Sequence, residues 1–224
     1  GTTTINGGAG DDVINLNASA HNGAAAIGLG AQASGQTIIN GGDGNDTLNI
    51  NATFTGTNTL STDYMDTKAG AFGMNAAWGG AVNKITNVNN VNITADASGS
   101  DDGWAYGMYT RDGWGSSTQN IIENTDSAIT VVITAKAGTA GQAYAMYGNA
   151  GGINLIQGGS HAGDAHGDSI TLNGDIGGHN NTVNTGSGDD HIEINGSLRS
   201  GTNTFNMGDG NDLFTLNGNI AGGT

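Results

Sequence analysis

Two 22-residue stretches decide the fold: NTVNTGSGDDHIEINGSLRSGT at positions 181–202 and NTFNMGDGNDLFTLNGNIAGGT at positions 203–224. They align without a gap, with Asp190 over Asp212, and residues 159–180 fit the same period. Repetition at a short fixed period is typical of a solenoid, in which each unit buries its apolar face only against its neighbours.

Each unit has the periodicity of a β-strand. Apolar and polar residues alternate, as at Ile192 and Ile194, which is the pattern of a strand with one buried face. The last apolar residue of this strand recurs upstream at spacings of 34, 43, 40, 39, 22 and 22 residues. The recurring positions are Leu16, Ile50, Ile93, Ile133, Leu172, Ile194 and Leu216. The sequence therefore predicts an all-β parallel solenoid of about seven coils in a single domain, with wide coils over 1–157 and narrow 22-residue coils over 158–224.

The wide coils contain an additional segment in which apolar and small residues are followed by glycine. It occurs at 24–35, 69–80, 104–115 and 143–152. Each copy predicts one more strand, stacked on its equivalents in neighbouring coils. Most aromatic residues fall here, which indicates either a broadened core or an exposed Trp/Tyr ladder for sugar rings or a protein surface. Trp78, Trp104 and Trp114 are the candidates for the second role.

Asparagine also repeats in register with the strands. The two series are Asn15, Asn49 and Asn92, and Asn173, Asn195 and Asn217. Stacked amides hydrogen-bond along the stacking direction, so both series predict asparagine ladders.

The charge of the chain excludes some partners. Twenty acidic residues face five Lys and Arg, for a net charge of −15. Nucleic-acid binding needs a basic surface that neutralises phosphates, and none is present, so no nucleic-acid partner is expected.

No run of 18 apolar residues occurs, and we expect no membrane insertion. Glu123 and Glu193 are the only glutamates, so all the other acidic residues are aspartates. This preference indicates that the aspartates serve in turns or in cation binding.

Four turns carry the pattern G-x-G-x-D, at 8–12, 42–46, 186–190 and 208–212. They resemble the haemolysin-type calcium-binding repeats of RTX proteins, whose consensus is GGxGxDxUx. The resemblance implies a right-handed parallel β-roll with Ca²⁺ between stacked turns, held by Asp carboxylates and by carbonyl oxygens of the glycine-rich loop. Carried onto this chain, the calcium residues are Gly8, Gly10, Asp12, Gly42, Gly44, Asp46, Gly186, Gly188, Asp190, Gly208, Gly210 and Asp212.

Asp12 with Asp46, and Asp190 with Asp212, are the pairs expected to share an ion. Asp168 is added as a weaker partner of Asp190, because its turn lacks the two glycines.

The chain also departs from the RTX pattern. In that family the motif repeats about every nine residues, whereas here it occurs once in 34 or 22 residues. The resemblance covers about forty residues and is lost over 51–157. A plain stacked Gly/Asp turn without calcium therefore remains the alternative.

A second, local cluster has the spacing of a metal site. His161, Asp164, His166 and Asp168 form H-x-x-D-x-H-x-D, which suits a transition metal. The alternative is a polar, glycine-punctuated turn at the surface.

The expected function is a calcium-stabilised structural or adhesive segment of a large bacterial protein, secreted or displayed on the cell surface. Both ends of the sequence interrupt a repeat, so we expect neighbouring solenoid repeats of a parent chain as partners, with a carbohydrate or a host-cell protein as open choices of ligand. Parallel β-helices also include polysaccharide-binding proteins and polysaccharide lyases or epimerases, but five basic residues and no paired nucleophile and base argue against an enzyme. A calcium-free autotransporter passenger is the third reading.

Overall fold

A computed structural model describes residues 1–23, 25–57, 70–111, 117–149, 151–159 and 167–221. Within these ranges the chain forms nineteen β-strands, numbered β1 to β19 in chain order, and they belong to three sheets. Every strand pair is parallel. None of the described residues forms a helix with the length and apolar character needed to cross a membrane.

The first and second sheets contain seven strands each. The first sheet consists of β1 (Thr2–Ala9), β4 (Gln36–Asp43), β7 (Val82–Thr86), β10 (Gln119–Glu123), β13 (Ile153–Gln157), β16 (Asn181–Asn184) and β18 (Asn203–Asn206). The second sheet consists of β2 (Val13–His21), β5 (Thr47–Thr55), β8 (Asn90–Gly99), β11 (Thr130–Lys136), β14 (Ser169–Asn173), β17 (His191–Asn195) and β19 (Leu213–Leu216).

The third sheet contains five strands. They are β3 (Ala25–Gln32), β6 (Gly70–Ala77), β9 (Trp104–Arg111), β12 (Ala143–Gly148) and β15 (Asp175–Gly178). The first four are the additional strands that the sequence predicted. The fifth belongs to the 22-residue part, and single bridges from Ile176 to Leu198 and from Leu198 to Ile220 extend the same face further. The 22-residue repeats therefore continue the face of the third sheet, but with one short strand and single bridges in place of full strands.

The chain passes through the first, second and third sheets in turn, and equivalent positions of successive strands lie in register. All seven apolar positions predicted to recur form one column of the second sheet, from Leu16 through Ile133 to Leu216. A parallel ladder pairs each residue with the residue at the same position of the next strand, so the sequence period becomes a stack of like side chains.

An aliphatic core lies between the three sheets. Ile39 of the first sheet, Ile50 of the second and Met74 of the third are fully buried in one cluster. A separate cluster of alanines around the fully buried Phe54, among them Ala52 and Ala95, fills the space where the second and third sheets approach each other. Apart from Phe54, the buried residues of these two clusters are Ile, Leu, Val, Met and Ala, so little aromatic bulk lies between the sheets.

Stacked amides accompany the apolar columns. Asn49 donates to Asn15 at 2.9 Å and Asn217 donates to Asn195 at 2.8 Å, which confirms the predicted asparagine ladders. A further column is buried: the amide of Asn120 donates to Oδ1 of Asn154 at 3.1 Å inside the first sheet. Paired in this way, the amides of Asn120 and Asn154 avoid the penalty of an unpaired polar group.

The in-register core predicts a clear difference between the two faces of β11. We expect Ile133→Ala to destabilise the chain by about 2–5 kcal/mol, because it leaves a cavity at a fully buried position. Thr130→Ala, on the exposed face of the same strand, should change stability by less than about 0.5 kcal/mol. Urea unfolding followed by circular dichroism measures both, and equal effects would contradict the stacked core.

Candidate metal-binding edge

The four G-x-G-x-D turns lie at one corner of the structure, where the chain leaves the first sheet for the second. We call this stacked edge the Gly-Asp corner. All eight motif glycines have φ between 82° and 154°, a region that favours glycine. They are Gly8, Gly10, Gly42, Gly44, Gly186, Gly188, Gly208 and Gly210.

Close stacking is a second reason for glycine at this corner. A Cβ on Gly42 would collide with the carbonyl oxygen of Gly8, and one on Gly210 would collide with that of Gly188. The absence of side chains therefore lets each turn lie directly on the previous one.

The aspartates of the corner form a hydrogen-bonded ladder along the stack. The backbone N–H of Asp12 donates to Oδ1 of Asp46 at 2.9 Å. At the other end of the stack, Asp168 N–H donates to Oδ1 of Asp190 at 2.7 Å, and Asp190 N–H donates to Oδ1 of Asp212 at 3.0 Å. Asp46, Asp190 and Asp212 thus each cap the preceding turn, whereas Asp12 begins the ladder as a donor. Asp168, expected as a weaker partner, takes the same place in the ladder as the others.

The ladder continues through a part of the chain in which the motif is absent. Asn89 accepts the backbone N–H of Asp46 at 3.0 Å, and its own amide donates to Oγ of Ser127 at 2.7 Å. Ile129 N–H then donates to Oδ1 of Asp168 at 2.8 Å. Sequence reasoning missed Asn89, although a signal exists: it precedes Ile93 by four residues, as Asp46 precedes Ile50.

The second carboxylate oxygen of these aspartates lies inside the corner. Asp46 and Asp190 expose only 1% and 2% of their surface. Their Oδ2 atoms, and that of Asp12, are buried without a hydrogen-bond partner. A buried charged oxygen without a partner is costly, so each of these atoms needs a cation or a water molecule beside it.

The oxygen atoms near Asp46 are of the kinds that bind a hard cation. Oδ2 of Asp46 and the carbonyl oxygen of Asn87 both lie close to Gly41. Carboxylate and carbonyl oxygens are the ligands that Ca²⁺ prefers, in a shell of six to eight at about 2.3–2.6 Å. The described residues contain no group of three or more His, Asp or Glu side chains able to hold a metal, so a calcium shell here would rely on carbonyl oxygens and water.

A polar cavity of about 270 Å³ opens where the Gly-Asp motif is interrupted. Its lining combines one motif turn with the two turns that lack the motif: Gly42, Asp43, Gly44, Asn87, Asn89, Asn124, Asp126 and Ser127. The cavity therefore lies where successive turns of the Gly-Asp corner differ in sequence and shape.

The cluster predicted at His161, Asp164 and His166 lies outside the described residues, as does Trp114. Only Asp168 of that cluster is described, and it belongs to the Gly-Asp corner.

The aromatic residues of the third sheet pack against one another in a cluster separate from the aliphatic core. Phe72 stacks on Tyr106 at 5.3 Å, and Tyr106 stacks on Tyr144 at 5.7 Å, between ring centroids. Phe72 and Tyr106 are each only 7% exposed. Burial raises the pKa of the Tyr106 hydroxyl well above its usual value. These rings therefore act mainly as packing.

The tryptophans do not form a ladder among the described residues. Trp104 begins β9 and pairs with Gly70, whereas Trp78 follows β6, and the guanidinium of Arg111 lies 4.5 Å from the centre of the Trp78 ring. The two rings sit at opposite ends of neighbouring strands, so they present no continuous surface to a sugar chain.

A groove of about 360 Å³ borders the half-buried Tyr144 at the end of the aromatic stack. The Tyr144 hydroxyl donates to Oε1 of Gln142 at 3.2 Å, and Arg199 Nε donates to Oδ2 of Asp175 at 2.7 Å. The hydrogen bond and charge of Asp175 raise the pKa of Arg199. An aromatic ring beside planar polar groups is suited to a small polar ligand.

No known protein family, curated protein or solved structure shows a significant match to this chain.

The ladder predicts different outcomes for two substitutions at Asp46 in calcium-free buffer. Asp46→Ala removes the acceptor of the Asp12 N–H and should cost about 1–3 kcal/mol. Asp46→Asn keeps an oxygen acceptor, as Asn89 does in the next repeat, and should change the free energy of unfolding much less. Chemical denaturation in EDTA distinguishes them, and equal losses would show that the Oδ1 hydrogen bond contributes little.

The buried tyrosines predict sensitivity to alkali. Burial raises the pKa of Tyr109 to about 12, whereas an unfolded tyrosine titrates near 10. Between pH 10 and 12 the unfolded chain therefore loses its proton first, and stability falls as the pH rises. Tyr109→Phe should make this fall shallower. Melting temperatures across that range measure the slope, and an unchanged slope would contradict the assignment.

Proposed function

We propose that this chain is a calcium-stiffened structural segment of a large bacterial protein that is secreted or displayed at the cell surface. The three sheets would close into a right-handed parallel β-solenoid of about seven coils. Its role would be mechanical: a rigid spacer that positions adhesive or other modules of a parent chain.

The repeating architecture supports a mechanical role. Like residues stack along the sheets from Leu16 to Leu216, and each repeat contacts chiefly its neighbours, as in other quasi-one-dimensional proteins. Such a structure lengthens by adding repeats and carries load through continuous backbone hydrogen bonding.

The observation that carries the calcium proposal is the set of buried, unpartnered Oδ2 atoms of Asp12, Asp46 and Asp190. Stacked carboxylates repel one another, and a divalent cation would remove both the repulsion and the desolvation penalty. The Oδ1 ladder by itself equally suits a calcium-free stacked turn, so only the second oxygen distinguishes the two.

Calcium would also couple folding to location. The acidic chain, with a net charge of −15, repels itself in the absence of cations. Binding only to the folded state would drive folding where calcium is plentiful, as it is outside cells.

The groove beside Tyr144 favours saccharide binding as a second candidate function. The groove is lined by the aromatic ring of Tyr144, by the ion pair of Arg199 with Asp175, and by the amide of Gln142. Because Arg199 already binds Asp175 at 2.7 Å, the groove is better suited to holding a neutral sugar than to neutralising a uronate in a lyase reaction.

Melting curves in calcium, magnesium and EDTA test the main proposal. One site at a calcium concentration of about 100 times its Kd contributes about 2.7 kcal/mol. Each kcal/mol corresponds to a shift of about 2–4 °C for a chain of this length. We therefore expect a clearly higher midpoint in calcium, with a smaller effect of magnesium.

Matched charge deletions locate the effect. Asp46→Asn and Asp190→Asn should reduce the calcium-dependent shift, whereas Asp96→Asn, which removes the same charge beside Lys136, should retain it. An unchanged midpoint in EDTA would leave a calcium-free structural solenoid, the arrangement expected of an autotransporter passenger.

A further inference from the structure

One turn of the Gly-Asp corner is shorter than the turns on either side of it. The in-register pairs that bracket this part of the corner are Asn40 with Thr86 and Glu123 in the first sheet, and Thr47 with Asn90 and Thr130 in the second. Between them the second repeat has six residues (41–46), the third has three (87–89) and the fourth has six (124–129). The third turn therefore lacks three residues that both of its neighbours have.

The short turn leaves a space one layer thick. Neighbouring strands lie about 4.8 Å apart, so turns that are two repeats apart are separated by about 9.6 Å. The cavity of about 270 Å³ lies at this place, and its lining comes from the second, third and fourth repeats in turn: Gly42, Asp43 and Gly44, then Asn87 and Asn89, then Asn124, Asp126 and Ser127. A single extended peptide segment has the thickness of the missing layer.

A backbone donor at this cavity lacks an acceptor. In the complete turns the second motif glycine donates its N–H to a carbonyl oxygen of the next turn, as Gly10 does to Asp43 at 2.8 Å and Gly188 does to Asp209 at 2.9 Å. Gly44 is the equivalent glycine beside the short turn, and among the described residues its N–H has no hydrogen bond. A carbonyl oxygen placed in the missing layer would restore the pattern.

Ser127 supplies a second donor on the opposite wall. Its Oγ accepts the amide of Asn89 at 2.7 Å and that of Asn124 at 2.9 Å. Both of its lone pairs are therefore used, and within the described part of the chain its hydroxyl hydrogen has no acceptor. The backbone N–H groups of Asp126 and Ser127 donate to Oδ1 of Asn124 at 3.3 Å, so this wall is held in shape before any ligand binds.

The charge of the cavity is negative on both walls. Asp43 and Asp126 are exposed and lie on opposite sides of the missing layer. Neither carboxylate forms a salt bridge with a described residue, and Lys84, on the strand that leads into the short turn, is already paired with Glu123 at 2.7 Å. With a net charge of −15 on the whole chain, a positively charged occupant is favoured.

A basic peptide suits these groups better than a metal ion does. The Gly44 N–H and the Ser127 O–H present hydrogen atoms to the cavity, whereas a hard cation needs oxygen ligands around it. Peptide carbonyl oxygens accept from such donors, and a lysine or arginine side chain binds carboxylates through charge-assisted hydrogen bonds. One ligand class thus satisfies both the donors and the charges.

We propose that this cavity binds an extended peptide segment of a partner protein that carries a lysine or arginine. The segment occupies the layer that the third turn lacks, in the manner of a strand added to a sheet. One of its carbonyl oxygens accepts the Gly44 N–H, and its basic side chain lies between Asp43 and Asp126. The site needs no calcium, and it would give a structural solenoid a defined docking point on its side.

Selection from a phage-displayed library of random short peptides, on the full 224-residue chain in EDTA, tests the proposal. We expect the recovered peptides to contain a lysine or arginine. Their binding should weaken as sodium chloride is raised, because salt screens exposed charges. Recovery of no peptide, or of peptides without a basic residue, would overturn the proposal. Because EDTA removes calcium, the result is separate from calcium binding at the Gly-Asp corner.

Charge removal on each wall locates the bound peptide. With a synthetic copy of a recovered peptide, Asp43→Asn and Asp126→Asn should each weaken binding about fivefold, the effect of one exposed ion pair. Asp96→Asn removes the same charge beside Lys136, outside the cavity, and should bind like the unmodified chain. Fluorescence anisotropy measures all three. Equal affinities would place the peptide elsewhere and contradict the assignment.

Completing the short turn fills the site with the protein's own chain. Residues 87–89 are replaced by GGDGND, the sequence of residues 41–46, so that the third turn has the length of its neighbours. If circular dichroism shows this variant folded, it should bind the peptide at least tenfold more weakly, because the layer is occupied. Unchanged binding by the folded variant would refute a peptide in this layer. If the variant does not fold, the two aspartate substitutions decide the question.

Discussion

Parallel pairing in register is the constraint on which the rest of this structure depends. It places every side chain beside the residue at the same position of the next strand, so like residues meet from one end of the sheets to the other. For isoleucine and leucine this produces a continuous core, and for asparagine a chain of amide hydrogen bonds. For aspartate it brings like charges together, and the structure must compensate for that.

At the Gly-Asp corner, the protein's own hydrogen bonds satisfy only part of each stacked carboxylate. Except in Asp12, which begins the ladder, one oxygen of each carboxylate accepts a backbone N–H from the preceding repeat, as Asp46 does from Asp12. That half of the group is therefore satisfied by the protein. The other oxygen is buried beside glycine and carbonyl groups. Close stacking of the glycine turns creates this enclosed position, and the cation proposed for this corner would lie beside it.

Much of the fold could be predicted from the 22-residue period, because a local pattern repeated in register needs no knowledge of distant contacts. The third-sheet strands were recognised in the same way. Asn89 was missed because its turn has lost the glycines, although its position relative to Ile93 is conserved in register. The contacts of Trp78 and Trp104 could not be predicted either, since contact with Arg111 or with Tyr106 depends on which end of a strand each tryptophan occupies.

The sequence by itself determined the strands, their order of recurrence and the glycine turns, because strand periodicity and positive φ are properties of short segments. Only the tertiary structure decided which carboxylate oxygen each neighbouring turn uses and which tyrosines are buried. Those features depend on how far successive turns approach one another and in which direction each side chain points. Both are set when the three sheets pack together around the aliphatic core.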